Sequence, residues 1–416
     1  MVDELKKITI NKSGVQINTS GDCILLSDII TEKTGDFISY NTLRRLFGLV
    51  SFVKPSINTL NILAEFNGYK SYAHFVKISP KKAYWIEKEK LYLLINTNPK
   101  QILNQLNTNI INQDYILDFI ISFCRELIYK KEINLLQKLF NSSFFERSNF
   151  NYSEKLHFGN AIGQLLIYNS DVGKKLLSQL NFINFVYCIH VDYTHLNGYY
   201  GDWNKQVHEE YKDGEIGSFS ESILQLKNFL NVRSVTYDNL QKVNTKNFHP
   251  ILIGRIYSIK FLSSGYQRKD IKQIFKSHLN IKNQEKVLID FFYEPIMLAL
   301  ITKNFNLMGD IINFLSNKKV IFSYYQEAHK CQFDLMCLIF KFSLKKVKEK
   351  PNDFELMRNE IEHRYSYRDL FEMFVLVLEF HSQGKKEYTM KLYNKISKKL
   401  NYPLFSKDYL LRYFDK

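Results

Sequence analysis

The strongest constraint on this chain is a rhythm. From about residue 83 onward, apolar side chains recur at i, i+3, i+4 and i+7 in run after run, separated by short polar connections. Trp85–Ile95, Ile102–Ile111, Tyr115–Tyr129, Glu132–Phe140, Glu154–Tyr168, Val172–Leu180 and Phe219–Leu230 all read this way. So do Pro250–Ser263, Arg268–Leu279, Glu285–Thr302, Phe305–Leu315, Tyr324–Phe342, Phe354–Glu362, Tyr367–Ser382, Lys385–Leu400 and Ser406–Phe414. With only 16 Gly and 7 Pro in 416 residues, turns are few. Long helices are therefore favoured over a many-stranded sheet. The expectation is an all-α protein whose residues 83–416 stack antiparallel helix pairs.

The N-terminal part has its own signals. Residues 1–22 alternate weakly (Ile8, Ile10, Val15, Ile17) around Ser13-Gly14, which suggests an arm or a short hairpin. Leu25–Gly35 is a helix closed by its glycine, and Asp36-Phe37-Ile38 is a tight connection. Ser39 caps the next helix, because its hydroxyl can accept a bond from an amide one turn on. Leu43, Leu46 and Phe47 form its apolar seam, Gly48 ends it, and Tyr40, Asn41, Arg44 and Arg45 lie off the seam. Helix, glycine turn, helix is the geometry of a helix-turn-helix. The basic break Ile78-Ser-Pro-Lys-Lys82 closes this unit, giving a division into 1–22, 23–80 and 83–416.

Residues 25–75 carry Ser39, Thr42, Arg45, Pro55-Ser56, Thr59-Leu60, Leu63-Ala64 and Gly68-Tyr69 in order. In that pattern they resemble a Cro/C1-repressor-type helix-turn-helix domain. The resemblance implies DNA-reading positions at Ser39, Tyr40, Asn41, Thr42, Arg44 and Arg45, with Lys54, Ser56 and Lys70 on phosphates. The last helices, with the turn Gln383-Gly384-Lys385 and Pro403 opening the next unit, look like a tetratricopeptide-type repeat. The reading is thus a degenerate TPR-like α-solenoid behind a small head. That order resembles the architecture of peptide-sensing transcription regulators. It implies DNA as one partner, a peptide or protein on the helical body as another, and a possible homodimer.

The net charge of +15 agrees with a polyanion partner, although it is spread along a Lys- and Asn-rich chain. The five cysteines are odd in number and share no metal spacing, which reads as free thiols in a reducing compartment. Met1-Val-Asp-Glu-Leu-Lys-Lys is no signal peptide, and no apolar run is long enough to span a bilayer. The expectation is a cytoplasmic protein without a membrane partner.

Three stretches carry candidate chemistry. In Cys188–Trp203, His190, Asp192 and His195 are metal-ligand types, but only Asp192 and His195 share a helical face. The glycines and aromatics of the stretch fit better with a long connection between helices, with a ligand-contacting insertion as the alternative. Arg358-Asn-Glu-Ile-Glu-His363 resembles the Arg-x4-His motif of HEPN-type ribonucleases, in which His does acid/base work and Arg steadies the phosphate. Its bland alternative is a solvated charged face. The run Lys341, Lys345, Lys346, Lys348, Lys350 is a basic helix end. No P-loop, dinucleotide fingerprint, nucleophile elbow or zincin helix is present, so neither an enzyme nor a cofactor is expected. The leading function is a DNA-binding regulator. A non-enzymatic interaction scaffold and a HEPN-like ribonuclease are the alternatives.

Overall fold

The computed structural model describes residues 2–51, 53–78, 89, 92–107, 116–147, 150–245, 247–267, 284–316, 326–344, 354–359, 366–382 and 386–415. All regular structure among these residues is helical. No helix among them is long and apolar enough to cross a membrane. The chain divides into two compact units, Met1–Phe119 and Ile120–Lys416.

The first unit contains α1 (Val2–Ser13), α2 (Ser20–Thr34), α3 (Tyr40–Leu46), α4 (Ile57–Phe66), α5 (Tyr72–Ile78) and α6 (Pro99–Asn107). The helix α1 corrects the arm or hairpin expected over residues 1–22. Its β-branched residues have strand propensity, but Leu5 and Thr9 lie one helical turn apart and are both fully buried. Thr9 Oγ1 donates to the Leu5 carbonyl at 2.7 Å and accepts from Asn67 Nδ2 at 2.8 Å, so burial against α4 overrides local preference.

The next helices start and stop as their sequences dictate. Thr19 and Asp22 close a capping box on α2, and Gly35 ends it at φ 75°. Ser27 Oγ, buried in α2, donates to the Ile38 carbonyl at 2.6 Å and fastens the connection to α3. Ser39 and Ser56 cap α3 and α4 by accepting from the Thr42 and Thr59 amides at 3.2 and 3.1 Å. Gly48 and Gly68 sit at positive φ just beyond those helices. Leu49 N–H then bonds back to the Arg44 carbonyl, and Tyr69 N–H to that of Ala64, both at 2.9 Å. One core, built from Leu5, Cys23, Leu26, Ile30, Leu43, Leu46, Leu63 and Phe75 among others, unites α1–α5.

The division between units falls within α7 (Ile116–Tyr129). The second unit continues with α8 (Ile133–Phe140), α9 (Ser143–Arg147), α10 (Tyr152–Ile167), α11 (Ser170–Leu176) and α12 (Leu180–Phe182), which runs into a π-helical turn at Ile183–Tyr187. A 3-10 turn at Tyr193–His195 leads into α13 (Tyr199–Glu210), α14 (Gly214–Val232), α15 (Asp238–Gln241), α16 (Pro250–Ser264) and α17 (Gln284–Thr302). Then come α18 (Phe305–Ser316), α19 (Glu327–Ser343), α20 (Phe354–Asn359), α21 (Arg368–Ser382), α22 (Lys386–Leu400), a 3-10 turn at Pro403–Phe405 and α23 (Lys407–Leu411). The expected helix Arg268–Leu279 lies outside the described residues.

Most helices of this unit pack on their neighbours in sequence: α13 on α14, α14 on α16, α16 on α17, α17 on α18 and α19, α21 on α22. Contacts are not confined to neighbours, however. Thr194 Oγ1 donates to Asp369 Oδ2 at 2.7 Å, and Tyr402 Oη accepts from the Leu196 amide at 3.2 Å and donates to the Tyr193 carbonyl at 2.5 Å. The C-terminal helices thus return onto the 193–196 turn.

Candidate functional site

On the first unit, α3 presents one outward face. Leu43 and Leu46 are buried, whereas Tyr40, Asn41 and Arg45 are exposed. Arg44 is only part-buried. Its Nη1 donates to Asn41 Oδ1 at 3.2 Å, and its Nε is buried without a partner. Ser39 and Thr42 are part-buried and joined Oγ to Oγ1 at 2.9 Å, so the Ser39 hydroxyl is committed to its cap. Lys54, Ser56 and Lys70 are exposed, with Ser56 committed in the same way to α4. Of the nine positions implied by the resemblance, Tyr40, Asn41 and Arg45 on α3 and Lys54 and Lys70 beyond it are therefore exposed outside a capping bond, with Asn41 Oδ1 taken by Arg44.

The stretch Cys188–Trp203 corrects the reading of one long connection, since its second half opens α13. Glycines at 198 and 201 hid the helix. The first permits an irregular entry at φ −123°, ψ −142°. At Gly201 a Cβ would meet the Leu196 carbonyl oxygen at 1.9 Å, so any larger residue is excluded. His190, Asp192 and His195 do not converge on a common point. Asp192 Oδ2 accepts from His195 Nδ1 at 2.7 Å and from Tyr199 Oη at 2.6 Å. The hydrogen bond to Asp192 raises the His195 pKa. Burial opposes the Asp192 charge, but the bonds from His195 and Tyr199 hold its carboxyl below the usual value. His190 instead packs beside Gly163, with Nδ1 3.4 Å from Asn160 Oδ1, and burial pushes it down to about 4. Among the described residues no group of three His, Cys, Asp or Glu side chains could hold a metal ion.

The stretch does reach a cavity. Cys188, Ile189, Val191 and Tyr193 line one side of a space of about 920 Å³ within the second unit. The first turns of α10, α14, α16 and α19 contribute Lys155, Glu215, Ile251 and His329 to its wall. Burial raises the Cys188 thiol well above its usual range, so it stays protonated. At one wall, buried Arg255 of α16 donates through Nε (3.2 Å) and Nη2 (2.7 Å) to Glu294 Oε1 of α17. Tyr193 Oη accepts from Arg255 Nη2 at 2.7 Å and donates to the same carboxylate oxygen at 2.5 Å. Tyr367, stacked on Tyr193 with centroids 3.8 Å apart, donates to Glu294 Oε2. Burial works against the Arg255 charge, but Glu294 outweighs it and keeps the guanidinium protonated. The pair is thus a neutral buried unit with its carboxylate fully used.

Arg358 is held by two carboxylates, through Nε to Glu372 at 2.7 Å and Nη2 to Glu379 at 2.8 Å. Its charge is already matched within the fold. His363 and Lys345–Lys350 lie outside the described residues.

The cavity's principal polar residues, Arg255, Glu294, His249 and His329, were absent from the sequence reading. The available signal was one charge set in an apolar run: Arg255 within Ile251–Ile259, and Glu294 within Phe291–Ile301. No family model, curated protein or solved structure matches this chain.

Proposed function

We propose that this protein is a cytoplasmic DNA-binding regulator. The first unit acts as a helix-turn-helix head that lays α3 in the major groove. The second, a degenerate TPR-like helical stack, dimerises the heads or takes a peptide or protein partner. The observation that carries the reading is the exposure of Tyr40, Asn41 and Arg45 on a helix whose opposite side is sealed into the core. The helix α1 supports it too, because repressor-type domains of this class carry a helix ahead of the two-helix motif. Arg45 supplies a guanine or phosphate contact, Asn41 and Tyr40 reach base edges, and Lys54 and Lys70 hold the backbone.

Fluorescence anisotropy of the full chain against pooled genomic duplexes tests this. The Asn41→Ala/Arg45→Ala variant is expected to lose at least about tenfold in affinity, since a good base contact contributes roughly 1–3 kcal/mol. Equal binding by wild type and variant at moderate salt would overturn the reading. Arg44 is left intact because its part-buried side chain also supports α3.

A further inference from the structure

Given the DNA-binding reading, one hydrogen bond within α3 bears on which base the head selects. In the major groove guanine offers two neighbouring acceptors, N7 and O6. Adenine offers the acceptor N7 beside a donor, the N6 amine. An asparagine reads adenine with both amide atoms, Oδ1 accepting from N6 and Nδ2 donating to N7. That contact requires both atoms to be free.

In α3 they are not both free. Asn41 Oδ1 accepts from Arg44 Nη1, three residues on, at 3.2 Å. A guanidinium has five donors and no acceptor, so the amide atom facing it is the oxygen. The amine Nδ2 is left for a base. Asn41 is exposed, and its amide has no second partner among the described residues.

Arg44 is held from within. The residue is part-buried, and its Nε is enclosed. Burial raises the Cys23 thiol in α2, and the nearby Arg44 charge opposes that rise, so the guanidinium lies close to the α2 side of the core. Turning the Asn41 amide over would set Nδ2 against Nη1, donor to donor. The surrounding sequence supplies no carboxylate to relieve this. From Phe37 to Ala64 the chain carries Arg44, Arg45 and Lys54 and no Asp or Glu. Arg45 is exposed, with no side-chain partner among the described residues. The amide and guanidinium groups that α3 exposes are therefore set to donate.

We propose, resting on the DNA-binding reading, that Arg44 determines base specificity. By occupying Asn41 Oδ1 it turns Asn41 from a reader of adenine into a donor to guanine O6, where adenine would present its own amine. Arg44 acts through Asn41 and is a positioning residue. Arg45 favours guanine as well, since an arginine fork matches O6 and N7.

Selection of duplexes from a randomised pool by full-length wild type, Asn41→Ala and Arg44→Met tests the proposal. Wild type is expected to enrich guanine over adenine at least about fivefold at a position whose preference Asn41→Ala erases. Arg44→Met keeps an unbranched shaft in the enclosed space and frees Oδ1. It is expected to shift that one position towards adenine, a change that lost stability alone would not produce. Circular dichroism establishes that the variant is folded. A second measurement needs no variant. In the selected duplex, 6-thioguanine still pairs with cytosine but replaces O6 by a weakly accepting sulfur. At the Asn41-dependent position it is expected to weaken wild-type binding at least about threefold. Any base other than guanine at that position in the wild-type selection would overturn the proposal. So would equal binding of the 6-thioguanine duplex, or a folded Arg44→Met protein that does not shift towards adenine. Binding with no position dependent on Asn41 would overturn it while leaving the DNA-binding reading in place. Failure to bind any duplex would overturn both.

Discussion

Gly254 shows how one residue can fix a helix pair. A Cβ at this position would lie 2.0 Å from the Phe291 carbonyl oxygen and 3.3 Å from Pro295 Cδ. Pro295 has no amide hydrogen to offer the Phe291 carbonyl one turn before it, and the bare backbone of Gly254 closes on that spot. Because the obstruction is main chain, it cannot swing aside. Gly254→Ala is expected to destabilise the second unit by about 3 kcal/mol, read as a drop of several degrees in the thermal midpoint. An unchanged midpoint would show that α16 and α17 are not packed this closely. Local features such as Gly35, Ser39 and Gly48 were legible beforehand because cap, amide and glycine lie within a few residues of one another. Arg255 and Glu294 meet across 39 positions. Nothing flanking either residue specifies the other, so the pair appears only once the helices are packed.

At the scale of the element, caps account for how well helix boundaries could be read. Helices α2, α3 and α4 begin at a Ser or Thr whose oxygen accepts an amide three residues on; the Ser39 cap placed the start of α3, whereas the Thr19 cap starts α2 at Ser20, five residues before the Leu25 expected from the sequence. Ser39→Ala removes such a bond and is expected to cost about 1 kcal/mol. Hydrogen exchange of the full chain would register it as faster exchange at Thr42 and its neighbours. Unaltered exchange there would mean that the cap does not hold the helix. Helices such as α8 and α19 were legible without a side-chain cap because their apolar spacing is strong, whereas α1 and α13 lacked that clear spacing as well. No side-chain cap opens α13, and α1 is defined by what Leu5 and Thr9 bury rather than by a local start signal. Tertiary burial of this kind leaves little trace in a window of a few residues.

Across the whole molecule, several imidazoles are held neutral inside the fold. Burial pushes His190 and His249 down to about 4 and His329 to about 3, from an ordinary value of 6.5. Between pH 6.5 and about 4 the unfolded chain takes up protons that the folded chain refuses, so stability falls as pH is lowered through that window. His195 acts in the opposite sense. Its raised value gives stability that is complete below 6.5 and is lost as pH rises through the folded value. The depressed group outnumbers it. Denaturant unfolding is expected to show a lower midpoint at pH 5 than at pH 7, with roughly 2 kcal/mol as the ceiling for each of His190 and His329. A midpoint that stays level or rises at pH 5 would contradict neutral burial.

The Gly254 contact has one more consequence. Arg255 follows that glycine directly, and Glu294 precedes Pro295, so the ion pair sits one residue from the place where two backbones touch. A free arginine surrenders about 2 kcal/mol of rotamer entropy when it is immobilised. Here that ordering is completed during folding, where Glu294 and Tyr193 fix the guanidinium in one place. Rigidity of this kind leaves no room for sliding: moving either helix by one residue along the other would break the backbone contact and the ion pair together.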